Sequence, residues 1–215
     1  MSSESIAGVV LAGGRSQRMG GTDKALQMLA GKPLIGHVID RVRRQVGAMA
    51  LSVEQPTASL ERFGLPQLAD PLPGHRGPLG GLLSALRHFG DRYPWVLLVP
   101  CDAPFLPATL AASLLRSALD GGLPGALAVY RGEWQPTFSL WHRSLLPDLE
   151  RAVGGEGLGG FKQLMRTVRL AERAWPTDPG PDVPSPFFNV NDRAALEEAE
   201  CWLRRAAERA QTCSA

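Results

Sequence analysis

The stretch Ile6-Ala7-Gly8-Val9-Val10-Leu11-Ala12-Gly13-Gly14-Arg15-Ser16-Gln17-Arg18-Met19-Gly20 decides the fold. Ile6 to Leu11 is a short apolar run with β-branched residues, closed by glycines, and it reads as a buried strand entering a turn. Glycines directly after a strand let backbone amides approach a ligand with no Cβ in the way. Consecutive amides in such a turn form a concavity for an anion. Arg18, and Lys24 four residues beyond Gly20, add positive charge suited to a polyphosphate. Two familiar phosphate loops fail on spacing. A Walker loop needs GxxxxGK followed by Ser or Thr, yet Gly31-Lys32 is followed by Pro33 and has Leu26 where the first glycine belongs. The GxGxxG fingerprint is absent as well.

Further along the chain, strand and helix signals alternate. Pro33 to Val46 predicts a helix, with Leu34, Val38, Val42 and Val46 at a spacing of four and proline tolerated in the first turn. Ala48 to Val53 predicts a strand, Leu79 to Phe89 a helix, Trp95 to Val99 a strand and Pro107 to Leu119 a helix. Ala126 to Tyr130, Thr137 to Trp141 and Phe187 to Val190 read as strands, and Ala194 to Ala210 as an amphipathic helix. The glycine-rich Gly154 to Gly160 and proline-rich Pro176 to Pro186 read as loops inside one domain, residues 1–215. The alternation predicts an α/β fold of three layers, a mainly parallel sheet with helices on both faces. Ligands of such sheets lie beyond the carboxyl ends of the strands, where Gly13 and Asp102 both fall.

Composition narrows the function classes. The 215 residues are 44% hydrophobic with a net charge of +2, which excludes an acidic disordered chain and gives no support to a nucleic-acid partner. The charge is uneven: residues 1–50 hold seven basic side chains against three acidic ones, so this quarter suits an anionic ligand. Arg41, Arg43 and Arg44 read as a solvated helix face. Three scattered cysteines form neither a disulfide framework nor a zinc pattern and fit a reducing cytoplasm. No signal-peptide pattern and no apolar run of membrane-spanning length is present, so no membrane partner is expected.

Several further residues carry chemistry. Asp102, at the mouth of the Trp95–Val99 strand, has the hard oxygen that Mg²⁺ prefers, and it stands too far from the next helix to cap it. Cys101 beside it reads as a small buried filler. Asp70 precedes Pro71 and the run Gly77-Pro78-Leu79-Gly80-Gly81, and reads equally as a turn residue or a ligand contact. Asn189 and Asn191 alternate along the Phe187–Val190 segment, which would put both amides on one face, able to meet a ligand or a metal. Asn191 or Asp192 alternatively caps the last helix. His37, His75, His88 and His142 match no zinc spacing.

Together, Leu11-Ala12-Gly13-Gly14-x-Ser-x-Arg-Met-Gly and Asp23-Lys24 resemble the signature of nucleotidyltransferases that act at the α-phosphate of a nucleoside triphosphate. With Gly77-Pro78-Leu79-Gly80-Gly81, Pro100-Cys101-Asp102, Gln135-Pro136-Thr137 and Phe188-Asn189-Val190-Asn191, the chain is most similar to the molybdenum cofactor guanylyltransferases, the MobA family. The resemblance runs from about residue 6 to 205. It implies a Rossmann-like nucleotidyltransferase fold, with Leu11, Ala12, Gly13, Lys24 and Asp70 binding GTP and Asp102 binding GTP and Mg²⁺. Family members tend to carry an asparagine contact after the second strand; here that stretch reads Leu51-Ser52-Val53-Glu54, so the contact is not carried over.

The expected reaction joins GTP to molybdenum-bearing molybdopterin, with pyrophosphate as the leaving group. The attacking phosphate is already anionic, so no general base is required, and catalysis rests on positioning and charge neutralisation. Arg18, Lys24 and Asp102 are the expected catalytic residues, with Asn191 a second metal ligand. Arg15, the Gly154–Gly160 loop and Asn189 are candidates for the acceptor, and cofactor-delivery proteins and molybdoenzyme acceptors are expected partners. The alternatives are a CTP-dependent enzyme on the same cofactor, a sugar-phosphate nucleotidyltransferase, or a non-catalytic cofactor carrier.

Overall fold

The computed structural model describes residues 3–13, 23–71, 77–154, 161–176 and 183–212. The chain runs β1 (Ile6–Leu11), a short hairpin of β2 (Met28–Leu29) and β3 (Lys32–Pro33), α1 (Leu34–Arg43), β4 (Ala48–Val53) and the one-turn α2 (Ala58–Glu61). It continues through β5 (Gln67–Ala69), α3 (Pro78–Phe89), β6 (Trp95–Pro100), α4 (Leu110–Asp120), β7 (Gly125–Tyr130) and β8 (Glu133–His142). Then come α5 (Leu146–Gly154), α6 (Phe161–Thr167), β9 (Ala171–Ala174) and α7 (Arg193–Thr212).

Seven strands form one sheet in the order β5-β4-β1-β6-β8-β7-β9. β1 pairs in parallel with β4 and β6, and β4 with β5, so these four strands end at one edge. β8 enters antiparallel between β6 and β7, and β9 closes the far side parallel to β7. The sheet is therefore mainly parallel, as the alternation of elements predicts. Its two faces are apolar because the strands are covered on both sides. Ile6, Val10, Leu51, Leu97 and Val99 meet side chains of α1 and α4 on one face. Ala7, Val9, Ala50, Val96 and Leu98 meet α3, α5 and α6 on the other. A smaller cluster of Leu29, Leu34, Phe105, Val190 and Ala199 seats α7.

One expected strand is not a strand. Phe187–Val190 follows Pro184 and Pro186, which lack the amides a ladder needs. Its remaining donors turn inward instead: Phe188 N donates to Ser185 O (3.1 Å) and Val190 N to Asp102 O (2.9 Å). Phe187 packs among Phe138, Trp175 and Tyr130, with ring centroids 4.9, 5.3 and 5.7 Å away. The premise that Asn189 and Asn191 share a strand face fails with it. The β2–β3 hairpin and β5 are too short, and the edge strand β9 too polar, to show alternation. Helices α5 and α6, with Leu146 and Leu149 and with Phe161, Leu164 and Met165 at helical spacing, are further elements that the sequence reading did not include. Residues 155–160 and 177–182, within the two expected loops, lie outside the described residues.

The helix predicted from Pro107 begins three residues later, and its cap comes from far away in sequence. Thr109 makes no side-chain capping bond. Instead the buried Gln45 accepts from Ala111 N (3.0 Å) and donates to Pro107 O and Arg41 O (3.0 Å each), tying α1 to α4. Gln45→Leu would deprive the buried Ala111 amide of its Gln45 acceptor, while Pro107 O keeps its bond from Leu110 N. A loss of about 1–3 kcal/mol is expected in urea unfolding, with the slope unchanged.

Candidate active site

The parallel strands deliver their ends to one edge, and the backbone there is tightly tied. Ala12 N donates to Ser52 O (2.8 Å) and Cys101 N to Leu11 O (3.2 Å), joining the ends of β1, β4 and β6. The amide of Ala12 is thus consumed within the sheet, and so is the carbonyl of Leu11. Their side chains pack into opposite faces, Leu11 against α3 and Ala12 against the α1–α4 layer. Gly13 follows, exposed, and a Cβ there would lie 3.0 Å from Glu54 N, so only glycine lets the chain cross the end of β4 this closely. Gly14 to Gly20, with Arg15 and Arg18, lie outside the described residues.

Lys24 opens a single 3-10 turn, Lys24–Leu26, capped by Asp23, whose Oδ1 accepts from Ala25 N (3.0 Å). Buried Ala25 anchors that turn. From it, Lys24 Nζ reaches two residues distant in the chain. It donates to Asp102 Oδ2 as an ion pair, and to Asn191 Oδ1 at 2.6 Å. The pair is largely withdrawn from water, with the Lys24 side chain 16% and that of Asp102 12% exposed. Asn191 is held there because Val190 N bonds the Asp102 carbonyl. The last helix has a different cap: Asp192 Oδ1 accepts from Ala195 N (2.8 Å), which leaves Asn191 to the site.

Asp70 arrives from the next strand. Its amide donates to Val53 O (3.0 Å), and its carboxylate lies over the first turn of α3, where a Cβ on Gly80 would collide with both carboxylate oxygens. Gly81 likewise admits Ser52 and Leu11. These are the glycines of the Gly77–Gly81 run, and their small size is what lets α3 approach the strand ends. Cys101 is no nucleophile: burial first, and the neighbouring Asp102 carboxylate second, push its thiol far above the ordinary range. His37 bonds Leu29 O (2.9 Å) and His142 bonds Ser144 (2.9 Å); neither is in the site.

Gln27 Oε1, Tyr130 Oη and Asn189 Oδ1 are buried without a hydrogen-bond partner among the described residues. Such orphan groups are costly unless something else meets them. Asn189 was a sequence candidate; Gln27 was signalled only by its nearness to Lys24, and Tyr130 only by its place at a strand end.

The pattern of the MobA-like NTP transferase domain matches residues 8–173, which contain the end of β1, Lys24, Asp70 and Asp102. The chain belongs to this family. It is 38% identical over 195 residues to the molybdenum cofactor guanylyltransferase of Rhodopseudomonas palustris strain HaA2, covering 89% of each chain. It is 40% identical over 203 residues to the enzyme of that name from Sinorhizobium fredii, covering 92% of this chain and 91% of the relative. The fold matches molybdopterin-guanine dinucleotide biosynthesis protein A from Archaeoglobus fulgidus with a TM-score of 0.74 at 21% identity, over 93% of this chain and 99% of the other. The nucleotidyltransferase fold and family expected from the signature are those found. The segment with Asn189 and Asn191 lies beyond the matched domain pattern and reaches the site through the Val190–Asp102 bond.

The nucleotide contact that the family resemblance assigns to Asp70 is a proposal that this close seat against Gly80 puts to the test. Gly80→Ala would drive the carboxylate from that seat while leaving a flexible side chain free to move aside. The expected result is a nucleotide KM raised roughly 10- to 100-fold, matching Asp70→Ala, with the melting temperature little changed. A normal KM in Gly80→Ala alongside a raised one in Asp70→Ala would show that the close fit does not matter.

Proposed function

We propose that this protein transfers GMP from GTP to the terminal phosphate of molybdenum-bearing molybdopterin, giving the guanine dinucleotide cofactor and pyrophosphate. The observation that carries the reading is the convergence of Lys24, Asp102 and Asn191 at the strand ends beside the glycine turn. Names of relatives that cover most of the chain at 38–40% identity support guanine as the base and molybdopterin as the acceptor.

Asp102 and Asn191 offer the oxygen donors a hard divalent cation takes, and both already face a single positive charge, the Lys24 ammonium. Among the described residues no three His, Cys, Asp or Glu side chains gather to cage a metal, so phosphate and water would complete the coordination. The residues therefore fit Mg²⁺, which when bound would neutralise charge on the α-phosphate. Lys24 balances the charge that builds on the triphosphate and on the departing pyrophosphate, with Arg18 assigned the same task from sequence. Gly13 and Asp70 seat the nucleotide, and Leu11 and Ala12, whose backbone is tied to Cys101 and Ser52, hold the strand end against which it lies. Asn189, with its buried unpaired oxygen, and Arg15 are assigned to the acceptor. No side chain need take a proton from an attacking phosphate that is already anionic, in keeping with His37 and His142 bonded elsewhere.

We read the whole chain as one domain whose first half holds the nucleotide and whose second half holds the acceptor. No described helix is long and apolar enough to cross a membrane, and Cys101 and Cys201 are free thiols; the cysteines support a cytoplasmic setting. Delivery proteins and molybdoenzymes remain the partners this chemistry calls for.

Pyrophosphate release, followed with each nucleoside triphosphate with and without molybdopterin, tests the reading. Release is expected only with GTP and molybdopterin together, and turnover of CTP in place of GTP would overturn the guanylyl assignment. Asp102→Asn should lower turnover by at least about 100-fold in the presence of Mg²⁺. Lys24→Ala should lower kcat by roughly 100- to 1,000-fold with KM within a few-fold; an unchanged kcat with raised KM would confine Lys24 to ground-state binding.

A further inference from the structure

The two oxygens assigned to the metal are not waiting in water: Lys24 Nζ lies between them, donating to Asp102 Oδ2 and Asn191 Oδ1. The ammonium is a compact point charge bonded to the same atoms a divalent cation would use, and two cations cannot share those atoms. We propose that Lys24 is a built-in stand-in for the divalent cation, keeping free metal off Asp102 and Asn191 until a triphosphate gives the ammonium another anion to hold. This inference rests on the metal reading above and deepens it.

Charge and placement carry the argument. Lys24 and Asp102 form a neutral pair, with both side chains mostly withdrawn from water. A bare divalent cation arriving there would meet the ammonium at contact distance and would have to strip it of its Asp102 partner. A buried charge stripped of its partner is costly, so this exchange is opposed. A metal–triphosphate complex carries net negative charge. Lys24 can then exchange a carboxylate oxygen for a phosphate oxygen without losing its neutralisation. The swing requires little of the backbone, because Lys24 stands on a short capped turn and moves only its flexible stem. Asn191 makes the exchange two-sided, since its amide oxygen binds ammonium or metal while its backbone neighbour Val190 stays fastened to Asp102. The consequence is joint binding: metal and nucleotide are admitted together, and neither free Mg²⁺ nor Mn²⁺ loads the resting enzyme.

Binding of Mn²⁺ alone to the full-length protein, read from the loss of the free-ion paramagnetic resonance signal, tests this without turnover. The wild type should bind Mn²⁺ weakly without nucleotide and well once GTP is added. Lys24→Met should bind Mn²⁺ alone about tenfold or more tightly than the wild type, and Lys24→Gln should do the same, guarding against a folding defect in one variant. Adding Asp102→Asn to either variant should abolish the gain. If Lys24→Met and the wild type bind Mn²⁺ equally without GTP, while Asp102→Asn still weakens binding in its presence, the stand-in role is wrong and the metal reading survives. If Asp102→Asn leaves Mn²⁺ binding unchanged with GTP present, the metal reading itself is overturned.

Discussion

Everything at the active edge depends on β1 being hydrogen-bonded on both sides. Its parallel pairing with β4 and β6 brings Leu11, Ser52 and Pro100 level, and two further backbone bonds, Ala12 to Ser52 and Cys101 to Leu11, fasten the three strand ends just past the ladder. Ile6, Ala7, Val9 and Val10 are almost wholly buried. The strand cannot slip by one residue without turning its apolar side chains into the wrong layer. That constraint turns an ordinary register into a positional guarantee: Gly13 and Asp102 leave the sheet at the same height, on adjacent strands.

On that frame the chemistry is assembled from parts with no local relationship. Lys24 comes from a one-turn helix after the glycine loop, Asp102 from the end of β6, and Asn191 from the approach to α7. Their meeting is an electrostatic choice as much as a geometric one. A carboxylate withdrawn from water needs a partner cation, and the ammonium in turn recruits the asparagine oxygen. The neighbouring thiol of Cys101 is held protonated by the same poor solvation. Among the described residues, Lys24 and Asp102 neutralise one another at this edge, which suits a reaction between two phosphates.

Much of this could be read from the chain alone, for definite reasons. Strands β1, β4, β6 and β7 are covered on both faces and so appear as unbroken apolar runs. Asp102 and Lys24 stood out because charge beside a buried strand end or a glycine turn has few bland explanations. The failures share a cause as well. Phe187–Val190 has the apolar look of a strand, but its prolines and its bond to Asp102 commit the backbone elsewhere. β9 is polar and at the sheet edge, so it shows no alternation. Gln45 serves a helix that begins 65 residues later, and Asp70 fits against Gly80 ten residues on; such contacts leave no periodic trace. In the sequence, Asn191 and Asp192 are both fit to cap α7; the cap is Asp192.

The bond from Val190 to Asp102 also sets an order of events during synthesis. Lys24 and Asp102 lie in the first half of the chain and can fold while the ribosome is still working. Asn191 and Phe187 emerge later, in a segment that the Val190 bond to Asp102 and the cluster of Val190 with Leu29 and Phe105 fasten to the sheet. The edge is therefore complete only once Asn191 has been added. A fragment stopped short of residue 190 would keep most of the core yet lack the clasp, so an incomplete molecule has no complete edge with which to consume nucleotide.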